Sequence, residues 1–143
     1  MAPATSACVS VALALSNSLL RADQTLIGTP FKQTMKLLTE QLRKQLPGLY
    51  ANEKNKTPTN DIIAYARFFG MWTNWVWYAC EIAEDGDLIY GFVIGHYPEW
   101  GYFMISELEA IRGPGGLRIE RDLGYVKSPM WKAAPQHFSK RGG

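Results

Sequence analysis

Five stretches between residues 61 and 123 carry apolar residues in strand-like patterns, and turn signals separate them. Trp75-Val-Trp-Tyr-Ala-Cys-Glu-Ile82 and Leu88-Ile-Tyr-Gly-Phe-Val-Ile-Gly95 are aromatic and β-branched runs of strand length. The Asp85-Gly86 pair between them predicts a tight hairpin, because glycine accepts the positive φ that such a turn requires. Gly101-Tyr-Phe-Met-Ile105 predicts a third strand, and it runs into Ser106-Glu-Leu-Glu109. That spacing predicts a capping box, with the Ser106 hydroxyl on a free amide and Glu109 reaching back.

On either side the pattern is sparser. Leu38, Leu42 and Leu46 recur every four residues and predict one helical face, with Thr39 as N-cap and Pro47-Gly48 as the stop. Residues 52–60 are polar and rich in breakers, hence a surface loop. Asp61 to Phe69 reads as a strand with Ile63, Tyr65, Arg67 and Phe69 on one side and Ile62, Ala64, Ala66 and Phe68 on the other; its alanines leave a helix open. Arg112-Gly-Pro-Gly-Gly116 ends the second helix, and Leu117 to Leu123 alternates as a strand with one wet face. The fold class expected is α+β: an antiparallel meander of four or five strands with an N-terminal helix and a short second helix packed on it.

Texture divides the chain into three segments. Residues 1–34 read as a loosely ordered leader, whose apolar run Ala7 to Leu15 is too short to cross a bilayer. Its first cation is Arg21, so it lacks the charged start of a signal peptide. Residues 35–126 read as one domain, and 127–143 as a basic tail docked through Trp131. A chain of 143 residues suits a single core. Cys8 and Cys80 are far apart, which fits a reducing, cytoplasmic setting rather than a disulfide scaffold.

The net charge of +2 does not by itself mark a polyanion binder. Its distribution is uneven. Glu81, Glu84, Asp85, Asp87, Glu99, Glu107 and Glu109 occur in a span without Lys or Arg. Arg112, Arg118, Arg121, Lys127, Lys132, Lys140 and Arg141 dominate the C-terminal quarter of the chain. This basic set, with Trp131 and His137 interleaved, could line a nucleic acid. Solvated turns and tails give the same pattern. The aromatic strand faces carry more weight: Trp75 and Trp77 share a side, and with Trp100 they are candidate anchors for a partner, flanked by Glu84, Asp85, Asp87 and Glu99.

Catalytic chemistry has one candidate, His96 at a strand end with Glu107 or Glu109 to orient it as an acid or base. A hydrogen-bonded turn histidine is the plainer account. Two His and two Cys scattered over the chain do not make a metal site, and the acidic turn lacks a calcium-loop pattern. Gly113-Pro-Gly-Gly116 is not a phosphate loop, since no Lys-Ser/Thr comes after it. No cofactor and no membrane association are expected.

Met35-Lys-Leu-Leu-Thr-Glu-Gln-Leu-Arg-Lys-Gln-Leu-Pro47, Trp75-Val-Trp-Tyr78, Tyr90-Gly-Phe-Val-Ile-Gly-His96, Gly101 to Glu109 and Ile111 to Leu123 together resemble the DUF2958 family of small bacterial domains. The resemblance spans residues 35–125. It brings no catalytic residues and no activity. It implies a setting on plasmids and integrating elements, and hence a non-enzymatic accessory protein that binds a protein or nucleoprotein complex, tuning or counteracting a host defence or transfer machinery. An enzyme built on His96, Glu107 and Glu109, and nucleic-acid binding through Arg118, Arg121, Lys127, Trp131 and Lys132, are the alternatives.

Overall fold

The computed structural model describes residues 36–140. In chain order it contains α1 (Glu40–Gln45), α2 (Ala51–Lys54), a 3₁₀ turn (Thr59–Asp61), β1 (Ile63–Ala64), β2 (Ala66–Gly70), β3 (Val76–Ile82), β4 (Leu88–Ile94) and β5 (Pro98–Met104). After β5 come α3 (Ile105–Ala110), a 3₁₀ turn (Pro114–Gly116), β6 (Ile119–Arg121), β7 (Ser128–Pro129) and α4 (Met130–Ala133). The leader, residues 1–34, lies outside the described residues.

β2 to β5 form the antiparallel meander, and β6 returns to the far edge of β2, giving the order β5-β4-β3-β2-β6. The class is α+β with a five-stranded antiparallel sheet and a few short helices. The Asp85-Gly86 hairpin forms with Gly86 at φ 75° and the Asp85 Oδ1 accepting from the amides of Asp87 and Leu88 at 2.8 and 3.1 Å. Those two bonds hold the Asp85 carboxyl below its ordinary range.

Both sheet faces are covered. On one lie Phe68, Trp77, Ala79, Ile89, Val93 and Phe103 under Leu37, Leu38, Leu46, Ile105 and Leu108. On the other lie Tyr78, Cys80 and Phe92 under Ile62, Ala64, Met130 and Ala134. A bulge between Ala79 and Glu81 lets Cys80 and Glu81 succeed one another without losing either core.

Three expectations need correction. The N-terminal helix is only six residues long, because Thr39 Oγ1 caps Leu42 at 3.2 Å and Pro47 forces Leu46 to ψ 131°. Leu38 and Leu46 are buried, but from the segments flanking α1. The strand from Asp61 to Phe69 breaks at Tyr65: β1 leaves the main sheet to pair with β7, so Ala64 and Ala66 enter different cores. The basic tail is part of the fold, with Met130 and Ala134 fully buried and the Tyr78 hydroxyl donating to the Ala133 carbonyl at 3.1 Å.

Candidate functional site

The catalytic reading fails on distance. β4 and β5 pair from Ile94 opposite Pro98 to Leu88 opposite Met104. His96 sits in the connection at the first end, whereas Glu107 and Glu109 come after Met104 at the second. Six strand steps of roughly 3.4 Å separate the two ends, about 20 Å. The His96 ring instead stacks edge-on against Trp75, at 5.3 Å between centroids.

Four of the seven acidic residues serve the fold as acceptors. Asp87 accepts from the Ser106 amide at 2.8 Å through Oδ1 and from the Ser106 hydroxyl at 2.7 Å through Oδ2. The start of α3 is therefore capped from the β3–β4 hairpin, and Ser106 is not its N-cap; that position is Met104. Glu109 does not reach back to complete a capping box, since its Oε2 accepts from the Leu37 amide at 3.3 Å. Both Glu107 oxygens are shielded from solvent without a hydrogen-bond partner among the described residues, although the side chain as a whole is half-buried. Its carboxyl is raised above the ordinary range by burial and then by the Asp87 charge. Glu84 is exposed at the hairpin tip.

Glu81 is the residue that sequence reasoning undervalued. It is 3% exposed and accepts from the amides of Tyr50 and Asn52 at 2.8 and 2.9 Å and from Asn52 Nδ2 at 2.7 Å. It thereby caps α2, whose N-cap Tyr50 has φ 69° and no side-chain bond of its own. The signal was an acid inside an otherwise apolar strand, which is stable only when paired.

The tryptophans divide. Trp77 is 0% exposed and Trp75 is buried, its ring lying where any side chain at Gly95 would collide. Neither can anchor a partner without the core opening. Trp100 is half-buried in a row with Tyr90, stacked at 5.7 Å, and Phe138. Glu99 lies beside it on β5, half-buried.

The basic residues do not form a strip. Arg121 Nη1 donates to the carbonyls of Lys36 and Leu37 at 2.7 and 2.9 Å, and Arg118 Nη2 to that of Glu109 at 3.1 Å. Both tie the entering chain and α3 to the β6 edge. Lys127 lies over the Tyr65 ring at 5.8 Å. Trp131 is covered by Lys140 at 5.2 Å, and Lys132 is exposed on α4.

What remains open is a groove between α1 and the β6–β7 loop. A cavity of about 360 Å³ is floored by Leu42, Tyr65 and Ala66 and rimmed by Thr39, Gln41, Gln45, Arg121, Asp122, Leu123 and Tyr125. The loop is held in place. Asp122 bonds Arg67 Nη1 at 3.1 Å, its Oδ1 accepts from the Gly124 amide at 3.0 Å, and the Tyr125 hydroxyl donates to the Ala64 carbonyl at 3.0 Å. It nevertheless presents Leu123 at 72% and Val126 at 76% exposure. Fixed apolar side chains in water beside an amide-lined groove suit a macromolecular contact better than chemistry. A second cavity of about 300 Å³ lies on the other side of the entering chain, between Lys36, Glu40, Arg43, Glu109 and Arg118.

Among the described residues, no group of three or more His, Cys, Asp or Glu side chains is placed to hold a metal. None of the described helices is long and apolar enough to cross a membrane. The molecule is thus a small α+β domain with four of its acids committed to backbone amides and an amide-rimmed apolar groove. It belongs to the family described as protein of unknown function (DUF2958), whose model matches residues 37–132. No curated protein and no solved structure matches it.

Proposed function

We propose that this protein is a non-enzymatic cytoplasmic accessory protein of a mobile genetic element, acting by binding a macromolecular partner of the host or the element. The observation that supports the reading most directly is the groove beside Leu123 and Val126, which puts two large apolar side chains in solvent on a tethered loop. The resemblance to domains found on plasmids supplies the setting, and with it the sharper version, tuning or counteracting a defence or transfer complex. Glu84 and Trp100 can add to the partner surface; Trp75 and Trp77 are set aside as core.

The test compares the unaltered protein with two full-length variants in one quantitative assay, co-purification with host proteins before and after nuclease digestion. Leu123→Asp with Val126→Asp should abolish the nuclease-resistant association, and His96→Ala should keep it. Loss of association with His96→Ala at unchanged circular dichroism, with the groove variant unaffected, refutes the groove as the partner site. Loss of all association on digestion favours nucleic acid as the partner instead.

A further inference from the structure

The cavity of about 300 Å³ beside the entering chain gathers the charged residues Lys36, Glu40, Arg43, Glu109 and Arg118. Buried Leu37, Leu38 and Ile119 complete its wall. Among the described residues the side chains of Lys36 and Arg43 make one hydrogen bond between them, from Arg43 Nη1 to the Gly86 carbonyl. An ammonium carries three N–H donors and a guanidinium five, so most of what these two groups can give is uncommitted. Arg43 Nε is shielded from solvent without a hydrogen-bond partner among the described residues. Arg118 is held to the Glu109 carbonyl through Nη2 at 3.1 Å and adds its charge to the same wall.

The two carboxylates are not equal competitors for those donors. Glu109 is engaged elsewhere, its Oε2 accepting from the Leu37 amide at 3.3 Å. Glu40 stands 3.6 Å from Arg43 Nε, too far for a hydrogen bond, and its side chain is 82% exposed. An ion pair so exposed holds weakly, and its carboxylate turns into water at little cost. With Glu40 turned out, Lys36, Arg43 and Arg118 face Glu109 alone, an excess of two positive charges on the cavity wall.

We propose that this cavity binds a small phosphate monoester, whose phosphoryl oxygens take the uncommitted N–H groups of Lys36 and Arg43. A monoester carries close to two negative charges at neutral pH and offers three strong acceptor oxygens. That charge matches the excess left when Glu40 swings away. A guanidinium fork suits phosphate oxygens, and an ammonium adds a point charge beside it. The volume lies at the small end of ligand pockets, so the ester carries a small organic group rather than a long chain.

A nucleic-acid backbone fits less well. Its diesters carry one charge each, and affinity for them grows with the number of cations set along the strand. Of the described cations in the C-terminal quarter of the chain, only Arg118 lines the cavity. Lys127 lies over the Tyr65 ring and Lys132 on α4, so neither extends the cationic wall. The site is across the entering chain from the groove by Leu123 and stands whether or not that groove binds a partner.

Isothermal titration calorimetry of the full chain with phenyl phosphate at low salt should show one saturable site with a Kd below about 1 mM. Phenyl sulfate, of the same shape with one charge fewer, should bind about fivefold more weakly. Lys36→Gln should weaken phenyl phosphate about tenfold, and Glu40→Gln, which removes the competing carboxylate, should tighten it about threefold. Arg43→Gln should weaken it at least as much as Lys36→Gln. Should loss of the Gly86 contact unfold that variant, Lys36→Gln and Glu40→Gln decide, since both positions are exposed. Lys132→Gln on α4 should change nothing. The inference is overturned by no saturable heat up to about 10 mM, by phenyl sulfate binding equally well, by equal weakening in Lys132→Gln, or by no tightening in Glu40→Gln. Displacement of phenyl phosphate by a thymidine oligonucleotide without terminal phosphates would overturn it in favour of a nucleic-acid backbone.

Discussion

Replacing Asp87 by alanine tests how α3 is started. The carboxylate accepts both the Ser106 amide and the Ser106 hydroxyl, at 2.8 and 2.7 Å. Loss of a side-chain cap costs about 1 kcal/mol, and bonds to a charged group run higher, so Asp87→Ala should cost about 2 kcal/mol. A small offset comes from Glu107, whose carboxyl the Asp87 charge disfavours. Ser106→Ala removes only the hydroxyl and should cost about 1 kcal/mol. Because the hydroxyl's acceptor is Asp87, the double variant should cost about 2 kcal/mol rather than the sum, a coupling of about 1 kcal/mol. Urea unfolding of all four proteins, with unchanged slope, measures it. The same cycle between Ser106 and Glu109 should give a coupling below about 0.5 kcal/mol. Additive costs in the first cycle, or coupling in the second, would restore the local capping box and refute the remote cap.

Glu81→Ala should cost about 3 kcal/mol by urea unfolding, since two backbone amides and the Asn52 amide lose their acceptor in a buried site; Glu81→Gln should recover part of this. A chain ended after Val126 loses buried Met130 and Ala134 with Phe138, about 4 kcal/mol of apolar burial, and its thermal midpoint should fall steeply; a midpoint unchanged from full length would show that the second core does not need them. Burial and the Asp87 charge raise the Glu107 carboxyl, so between the unfolded and folded values the native state holds a proton that the unfolded chain has lost. That contribution is complete at low pH and is lost as pH rises through the folded value. Glu107→Gln should therefore raise the midpoint at neutral pH and leave it unchanged near about pH 3; an equal effect at both would exclude titration as the cause.

The central meander was legible because its signals are local: Asp85-Gly86 fixes one turn, and the apolar runs on each side fix strand length. What the sequence concealed depends on contacts between distant residues. Ser106 and Glu109 have capping-box spacing, yet Asp87 lies 19 positions away and is in better place, because pairing Leu88 with Met104 brings the hairpin to the helix start. β7 and α4 span two and four residues, too few for a periodic pattern, so their burial was invisible. Alternation correctly put Trp75 and Trp77 on one side of the chain. It could not say that Leu37, Leu38 and Leu46 would cover that side.

The same long-range contacts change what the acidic span means. Seven carboxylates without an intervening cation suggest an electrostatic docking face when read along the chain. In the fold, four of them are acceptors for backbone amides: Glu81 for Tyr50 and Asn52, Asp85 for Asp87 and Leu88, Asp87 for Ser106, and Glu109 for Leu37. An antiparallel meander joined by short helices has many unpaired amides at strand and helix starts, and carboxylates are strong acceptors for them. Charge of the opposite sign is spent likewise, with Arg118 and Arg121 on carbonyls of α3 and the entering chain. On the reading proposed above, recognition would therefore rest on shape and apolar contact more than on long-range attraction. The exposed Leu123 and Val126, beside the groove, are the apolar side chains that would supply it.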